Sequence, residues 1–137
     1  LKKVIGFSDI SAIHAALYTN PSIESIHAAM PGSSLFIKDK NQGTQAILDY
    51  VFGAKDSFCI DVSGHDMTVE GPLFGGCFSV LTNLIGTSYF PKLDGHIVFL
   101  EDIAENPGKL MRYFDQWLLS GSLKNVKALV VPDPSER

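Results

Sequence analysis

Basic residues are scarce in this chain and scattered: 11 Lys and Arg against 15 Asp and Glu leave a formal net charge of −4. Without a basic stripe, nucleic acid is excluded as an expected partner. Long apolar runs are lacking as well. Although 45% of the residues are apolar, no stretch approaches the roughly 18 residues a membrane-crossing helix needs, and no membrane partner is expected. The longest runs, at 97–100 and 128–131, have the length of strands. Cysteine is down to Cys59 and Cys77, too few for a disulfide framework and without C-x-x-C metal spacing. Both lie among apolar residues, as buried thiols of a reducing compartment do. His14, His27, His65 and His96 show neither H-x-x-x-H nor H-E-x-x-H spacing, and neither a P-loop nor G-x-G-x-x-G occurs. No metal and no cofactor is therefore expected. Repeats and low-complexity segments are absent, and Leu1-Lys2-Lys3 is followed too soon by Gly6, Ser8 and Asp9 to form a signal peptide.

What is present is alternating strand and helix. Residues 4–7 read as the end of a strand, and Ile10, Ile13 and Leu17 recur as one face of a helix closed by Asn20-Pro21. Residues 22–30 read as a strand. Residues 44–54 read as a helix with Ile47, Tyr50, Val51 and Ala54 on one face. Phe58, Ile60 and Val62 alternate as in a half-buried strand, Gly64-His65-Asp66 is a turn, and residues 67–70 return as a second strand. The texture changes at 72–76, and two parts are expected, 1–66 and 67–137. A helix is expected over 76–86, with Gly75-Gly76 at its start allowing close backbone packing. Residues 96–100 are nearly all apolar, as in a strand covered on both faces. Leu110, Met111, Phe114, Trp117 and Leu118 mark a helix ended by Gly121, and 126–131 is a further apolar strand. Strand, helix and strand in this order make a β-α-β crossover, so the fold class is α/β with a largely parallel sheet flanked by helices. A parallel sheet that begins at Lys2 presents an unpaired apolar edge, a liability for folding in isolation.

Two constellations can carry chemistry. Gly6-Phe7-Ser8-Asp9 stands at a strand-to-helix junction, where a serine hydroxyl can sit exposed on a tight turn and the following helix amides favour developing negative charge. The logic is that of the G-x-S-x-G elbow, but Ile10 occupies the place of its last glycine. The plainer reading is that Ser8 or Asp9 caps the helix. The second constellation is Glu101-Asp102, followed by Glu105, at the carboxyl end of a buried strand, where open α/β sheets bind ligands. The plainer reading there is capping of the helix that starts near Glu105-Asn106-Pro107. His27, near the end of a strand, can reach a cleft, although a lone histidine in that place is more often a packed, hydrogen-bonded residue.

Four ordered segments resemble the LD-carboxypeptidases, the serine peptidase family that also contains the microcin-immunity peptidases. Val4-Ile5-Gly6-Phe7-Ser8-Asp9-Ile10-Ser11-Ala12 resembles the family's G-x-S-D-x-T nucleophile segment, and Leu73-Phe74-Gly75-Gly76-Cys77 its W-G-G-N stretch. Leu84-Ile85-Gly86-Thr87-Ser88-Tyr89 resembles L-I-G-T-P-[WY], and the run from Gly95 to Pro107 resembles G-x-[IL]-x-x-[LF]-E-D-[IV]-x-E-x-P. The resemblance implies a central fragment of a cytoplasmic serine carboxypeptidase of murein recycling, parts of two domains of which the first bears the nucleophile and the second the catalytic glutamate. It implies hydrolysis of the L,D amide bond to the terminal D-alanine of murein peptides. By position, Ser8 matches the nucleophile, Glu101 the triad carboxylate, and the Asp9 backbone N–H one oxyanion-hole donor. A murein peptide is the implied partner, and a homodimer is among the assemblies allowed. The pattern departs in three places: Ala28-Ala29 replaces Gly-Pro, Cys77 replaces Asn, and the segments that carry the family's catalytic histidine and its R-G-G-Y-G loop have no counterpart here. The chain by itself is accordingly expected to be inactive. Two rivals stand beside this reading: an immunity-type peptidase cleaving a peptide–nucleotide or acyl amide with the same triad, and a truncated, non-catalytic chain acting as a binding or assembly module.

Overall fold

The computed structural model describes residues 1–34, 36, 42–57 and 68–132. Strand β1 (Lys2–Gly6) runs into helix α1 (Ile10–Leu17), and the chain returns in strand β2 (Ile23–His27). The two strands pair in parallel, from Lys2 opposite Ile23 to Gly6 opposite His27. A parallel pair needs a crossover rather than a hairpin, and α1 supplies it. Beyond α1, the Asn20 amide donates to the Leu17 carbonyl at 2.9 Å and its side chain accepts from the Ser22 amide at 3.0 Å. That Asn turn sends the chain into β2. Helix α2 (Gln42–Val51) ends three residues earlier than the apolar spacing predicts. The strand expected over 57–62 and the turn at 64–66 fall almost wholly outside the described residues. Of the strand expected over 67–70, the described residues 68–70 are irregular backbone instead: no described strand lies alongside to pair with them.

The second sheet is also parallel, in the order β3-β4-β5, with β3 at Leu73–Cys77, β4 at Ile97–Glu101 and β5 at Ala128–Val130. The α/β class with parallel pairing is thus the observed one. Strand β3 was not expected, because residues 72–76 read as a change of texture with a helix opening at 76. It is a strand because Gly75 has no side chain: a Cβ there would lie 2.0 Å from the Phe99 carbonyl oxygen on β4. The helix expected over 76–86 starts after that strand and is a short one, α3 (Phe78–Thr82), followed by turns. Helix α4 (Pro107–Leu119) begins where proline is best tolerated and is capped by Asn106, whose side chain accepts from the Gly108 amide at 2.8 Å. β5 is shorter than its apolar run.

The core lies almost wholly on this second sheet. Phe74, Phe78, Leu81, Leu93, Val98, Leu100 and Trp117 are buried together, joined by Ala15 from α1. Trp117 is fully enclosed, with Phe90 at 5.2 Å and Phe78 at 5.9 Å between ring centroids, both edge-on. Its indole N–H is satisfied by Thr82 Oγ1 at 2.9 Å, as a buried indole requires. Helix α1 joins the two sheets. The buried Ser11 hydroxyl accepts from the Cys77 amide at 2.9 Å, and the Tyr18 hydroxyl donates to the Leu73 carbonyl at 3.2 Å. Among the described residues no helix is long and apolar enough to cross a membrane.

Candidate functional site

Ser8 lies in the turn between β1 and α1 with φ at +60°. A side chain in the left-handed region costs about 1–3 kcal/mol and persists only where the surroundings enforce it. Here the enforcement comes from both sides. The Ser11 amide donates to the Ser8 carbonyl at 2.9 Å, and Ile10 folds back over Gly6, where a Cβ would stand 2.7 Å from Ile10 Cγ1. The elbow therefore closes with a glycine only before the serine. The side chain of Ile10, in the place of a second glycine, packs on Gly6. Ser8 and Asp9 are exposed. Asp9 stands at the N-cap position of α1 and makes no side-chain capping bond, so the capping explanation of this acidic residue finds no hydrogen bond to rest on. Its amide sits at the start of the first helical turn.

Glu101 closes β4, opposite Cys77 of β3. The three acidic residues at and beyond the end of this strand divide cleanly. Asp102 Oδ2 accepts from the Ser79 amide at 2.9 Å, which caps α3. Glu105 pairs with Lys109 one helical turn away at 3.2 Å, an exposed pair of the kind that contributes little. Glu101 Oε1 instead lies 3.5 Å from Nε2 of His27, at the carboxyl end of β2. That separation is within ion-pair range but outside hydrogen-bonding geometry. His27 is held opposite Gly6, two residues before Ser8. The carboxyl ends of β1, β2 and β4 thus meet, the end of a parallel sheet at which ligands bind.

Sequence reasoning placed His27 in the right element but did not find its contact with Glu101. The only hint was its position at a strand end. The Gly76 backbone lies beside the ring: a Cβ there would make ordinary contact with His27 Cδ2 at 3.5 Å but would stand only 2.5 Å from Ser11 Oγ. His14 of α1 stands edge-on to it at 6.4 Å. Burial holds both imidazoles below the ordinary histidine range; the neighbouring His14 lowers His27 further, while a backbone bond to Val4 partly offsets the effect on His14. Both are neutral near pH 7, and the Nε2 of each is buried with no hydrogen-bond partner among the described residues. Burial pushes the Cys77 thiol up, so it is no thiolate. His96 lies at the opposite end of β4, its Nδ1 3.0 Å from the Asp94 carbonyl oxygen, and His65 is outside the described residues. Among the described residues no group of three His, Cys, Asp or Glu could hold a metal ion.

Comparison with known proteins gives consistent results. The sequence model of the LD-carboxypeptidase C-terminal domain matches residues 70–136. A "Probable murein peptide carboxypeptidase" of Bacillus subtilis is 29% identical over 133 residues, 93% of this chain and 42% of that protein. The muramoyltetrapeptide carboxypeptidase from Oxalobacter formigenes superposes with a TM-score of 0.78 at 31% identity, over 93% of this chain and 44% of that one. The microcin C7 self-immunity protein MccF superposes with a TM-score of 0.72 at 18% identity, over 96% of this chain and 49% of that one; at that identity the likeness concerns the fold. The chain spans less than half the length of each of these.

Proposed function

The chain belongs to the LD-carboxypeptidase family, and we propose from that premise that it carries the nucleophile and the orienting carboxylate of a serine carboxypeptidase. The observation that supports this most is the enforced left-handed turn at Ser8, next to the strand ends that bear His27 and Glu101. In this reading Ser8 Oγ attacks the carbonyl carbon of the last amide bond while a histidine takes the hydroxyl proton. The oxygen gains the negative charge and is met by the Asp9 amide. Collapse breaks the C–N bond, the amine leaves with the proton, and water then releases the acyl group from Ser8 by the same steps in reverse. Glu101 fixes the tautomer of the histidine and stabilises its charged form. The base itself comes from the segment that, in the family, follows the residues seen here.

The bond proposed is the L,D amide to the terminal D-alanine of a murein peptide, in the cytoplasm, with a homodimer as the proposed assembly. This substrate is preferred because the relatives named for murein peptides are 29% and 31% identical, against 18% for the immunity protein. Cleavage of an acyl or peptide–nucleotide amide is the second reading.

The test is made on the whole protein with an L,D-tetrapeptide ending in D-alanine. Ser8→Ala should lower D-alanine release by about 10⁴–10⁶-fold and abolish labelling by a fluorophosphonate. Glu101→Gln should lower kcat by about 10⁴-fold with little change in KM. Asp102→Ala should keep most activity and lose about 1 kcal/mol of stability, as a lost helix cap does. Labelling that survives Ser8→Ala would end the assignment of the nucleophile. Labelling with no D-alanine release, but with cleavage of an acyl nucleotide, would favour the immunity-type reading, and no labelling at all a binding role.

A further inference from the structure

We propose that His27 is a positioning residue for Glu101: it is not the base, but the fixed donor against which the carboxylate is set before it orients one. The inference rests on the reading of Glu101 as the orienting carboxylate. It starts from a contact that joins the two sheets at the strand ends that would flank a substrate. His27 Nε2 is 3.5 Å from Glu101 Oε1 and has no hydrogen-bond partner among the described residues. An approach of about half an ångström would complete an ordinary N–H···O bond.

The imidazole is placed to serve as a fixed point. Its backbone is pinned by the ladder to Gly6, with the Ala28 amide donating to the Gly6 carbonyl at 2.9 Å. One edge of the ring lies against Gly76, where no side chain intervenes, and its neighbour from α1 is the buried His14. The other carboxylate at this strand end, Asp102, is committed to the Ser79 amide of α3. The carboxylate that meets β2 is therefore Glu101. A neutral imidazole suits the task, because it donates one N–H without cancelling the charge that Glu101 must offer to the protonated base. Among the described residues, the titratable groups set against it are Glu101 from β4 and His14 from α1.

The experiment is a double-mutant cycle in the whole protein, reading D-alanine release and the rate of Ser8 acylation by a fluorophosphonate. His27→Leu is expected to lower kcat about 10–100-fold, the usual cost of losing a partner that orients a working group, with KM within about twofold. His27→Gln keeps an N–H donor on a side chain of similar reach and should recover most of that loss. In a Glu101→Gln background, His27→Leu should cost less than about threefold, because coupled residues are non-additive. A purely structural role would give no rescue by Gln and the same fold loss in both backgrounds, and either result overturns the proposal. A His27→Gln variant as inactive as Ser8→Ala would overturn it differently, by making His27 the base. Should Glu101→Gln itself leave kcat unchanged, the assignment of Glu101 falls and takes this proposal with it. If His27→Leu does not fold, the cycle is run with His27→Gln alone. A deficit of about twofold or more that vanishes beside Glu101→Gln supports the contact, and one that persists beside it refutes it.

Discussion

The part of the chain built on β1 and β2 and the part built on β3, β4 and β5 are held together by different means. Around the three-stranded sheet, Phe74, Phe78, Leu81, Leu93, Val98, Leu100 and Trp117 form a buried apolar cluster. Among the described residues around the two-stranded one, the buried side chains are the small Ala28 and the polar Ser11 and His14, while Ala15 reaches into the other cluster. Apolar burial stabilises by about 25 cal/mol per Å² removed from water, so among the described residues the second part carries more of that driving force. The first carries costs: a strained Ser8, a buried His14 and a half-buried His27 whose Nε2 atoms lack a hydrogen-bond partner among the described residues, and a buried Ser11 hydroxyl. The proposed nucleophile thus sits beside the described residues with less apolar burial, which α1 ties to the second sheet. That division is common where a working residue must be held in a conformation it would not choose.

The largest test of this contrast compares one large apolar side chain from each part. Trp117→Ala should cost about 3–5 kcal/mol, since the indole is fully enclosed and hydrogen-bonded. Ile13→Ala on the half-exposed side of α1 should cost less than about 1 kcal/mol. Denaturant midpoints of the whole protein, followed by far-ultraviolet circular dichroism, would measure both. Similar losses for the two would mean that the parts are equal partners.

A smaller effect is expected at the joint between them. Ser11→Ala removes the acceptor of the Cys77 amide, and a buried donor left unpaired costs about 1–3 kcal/mol. Ser8 acylation should slow alongside, because α1 carries the elbow. A stability loss with unchanged acylation would show that the elbow is self-supporting.

The smallest effect is the response to acid. His14 and His27 have folded-state pKa values below the unfolded value, so the unfolded chain binds the extra protons. The stability they contribute is complete above the ordinary imidazole pKa of 6.5 and is lost as pH falls through that value toward the folded ones. His14→Gln should flatten the decline in the denaturant midpoint between pH 7 and pH 5, while carboxylates elsewhere continue to contribute to it. An unchanged slope would place the acid sensitivity in the second part.

Much of this arrangement was legible in the residues. Helix α1 follows from Ile10, Ile13 and Leu17, and α4 from the spacing of Leu110, Phe114 and Trp117, because helical burial repeats within a short window. The strand-end places of Ser8 and Glu101 follow from the same reading. Strand β3 was not legible, because its reason for being a strand is the Phe99 carbonyl on β4, against which only Gly75 fits. Glycine states that something comes close, not what. The meeting of His27 with Glu101 was hidden for a related reason. It depends on how two separate sheets abut through Ser11, Gly76 and α1, and no local periodicity encodes that.

Trp117 has one consequence beyond packing. It is the sole tryptophan in these 137 residues, enclosed by Phe78 and Phe90 with its N–H bonded to a threonine hydroxyl rather than to water. An indole so shielded emits at short wavelength and shifts to the red when water reaches it. The chain therefore contains its own optical reporter, and one that watches only the three-stranded part. A loosening confined to the Ser8 elbow would leave the emission of this indole unchanged, so fluorescence alone would describe as intact a protein whose proposed nucleophile had already lost its geometry.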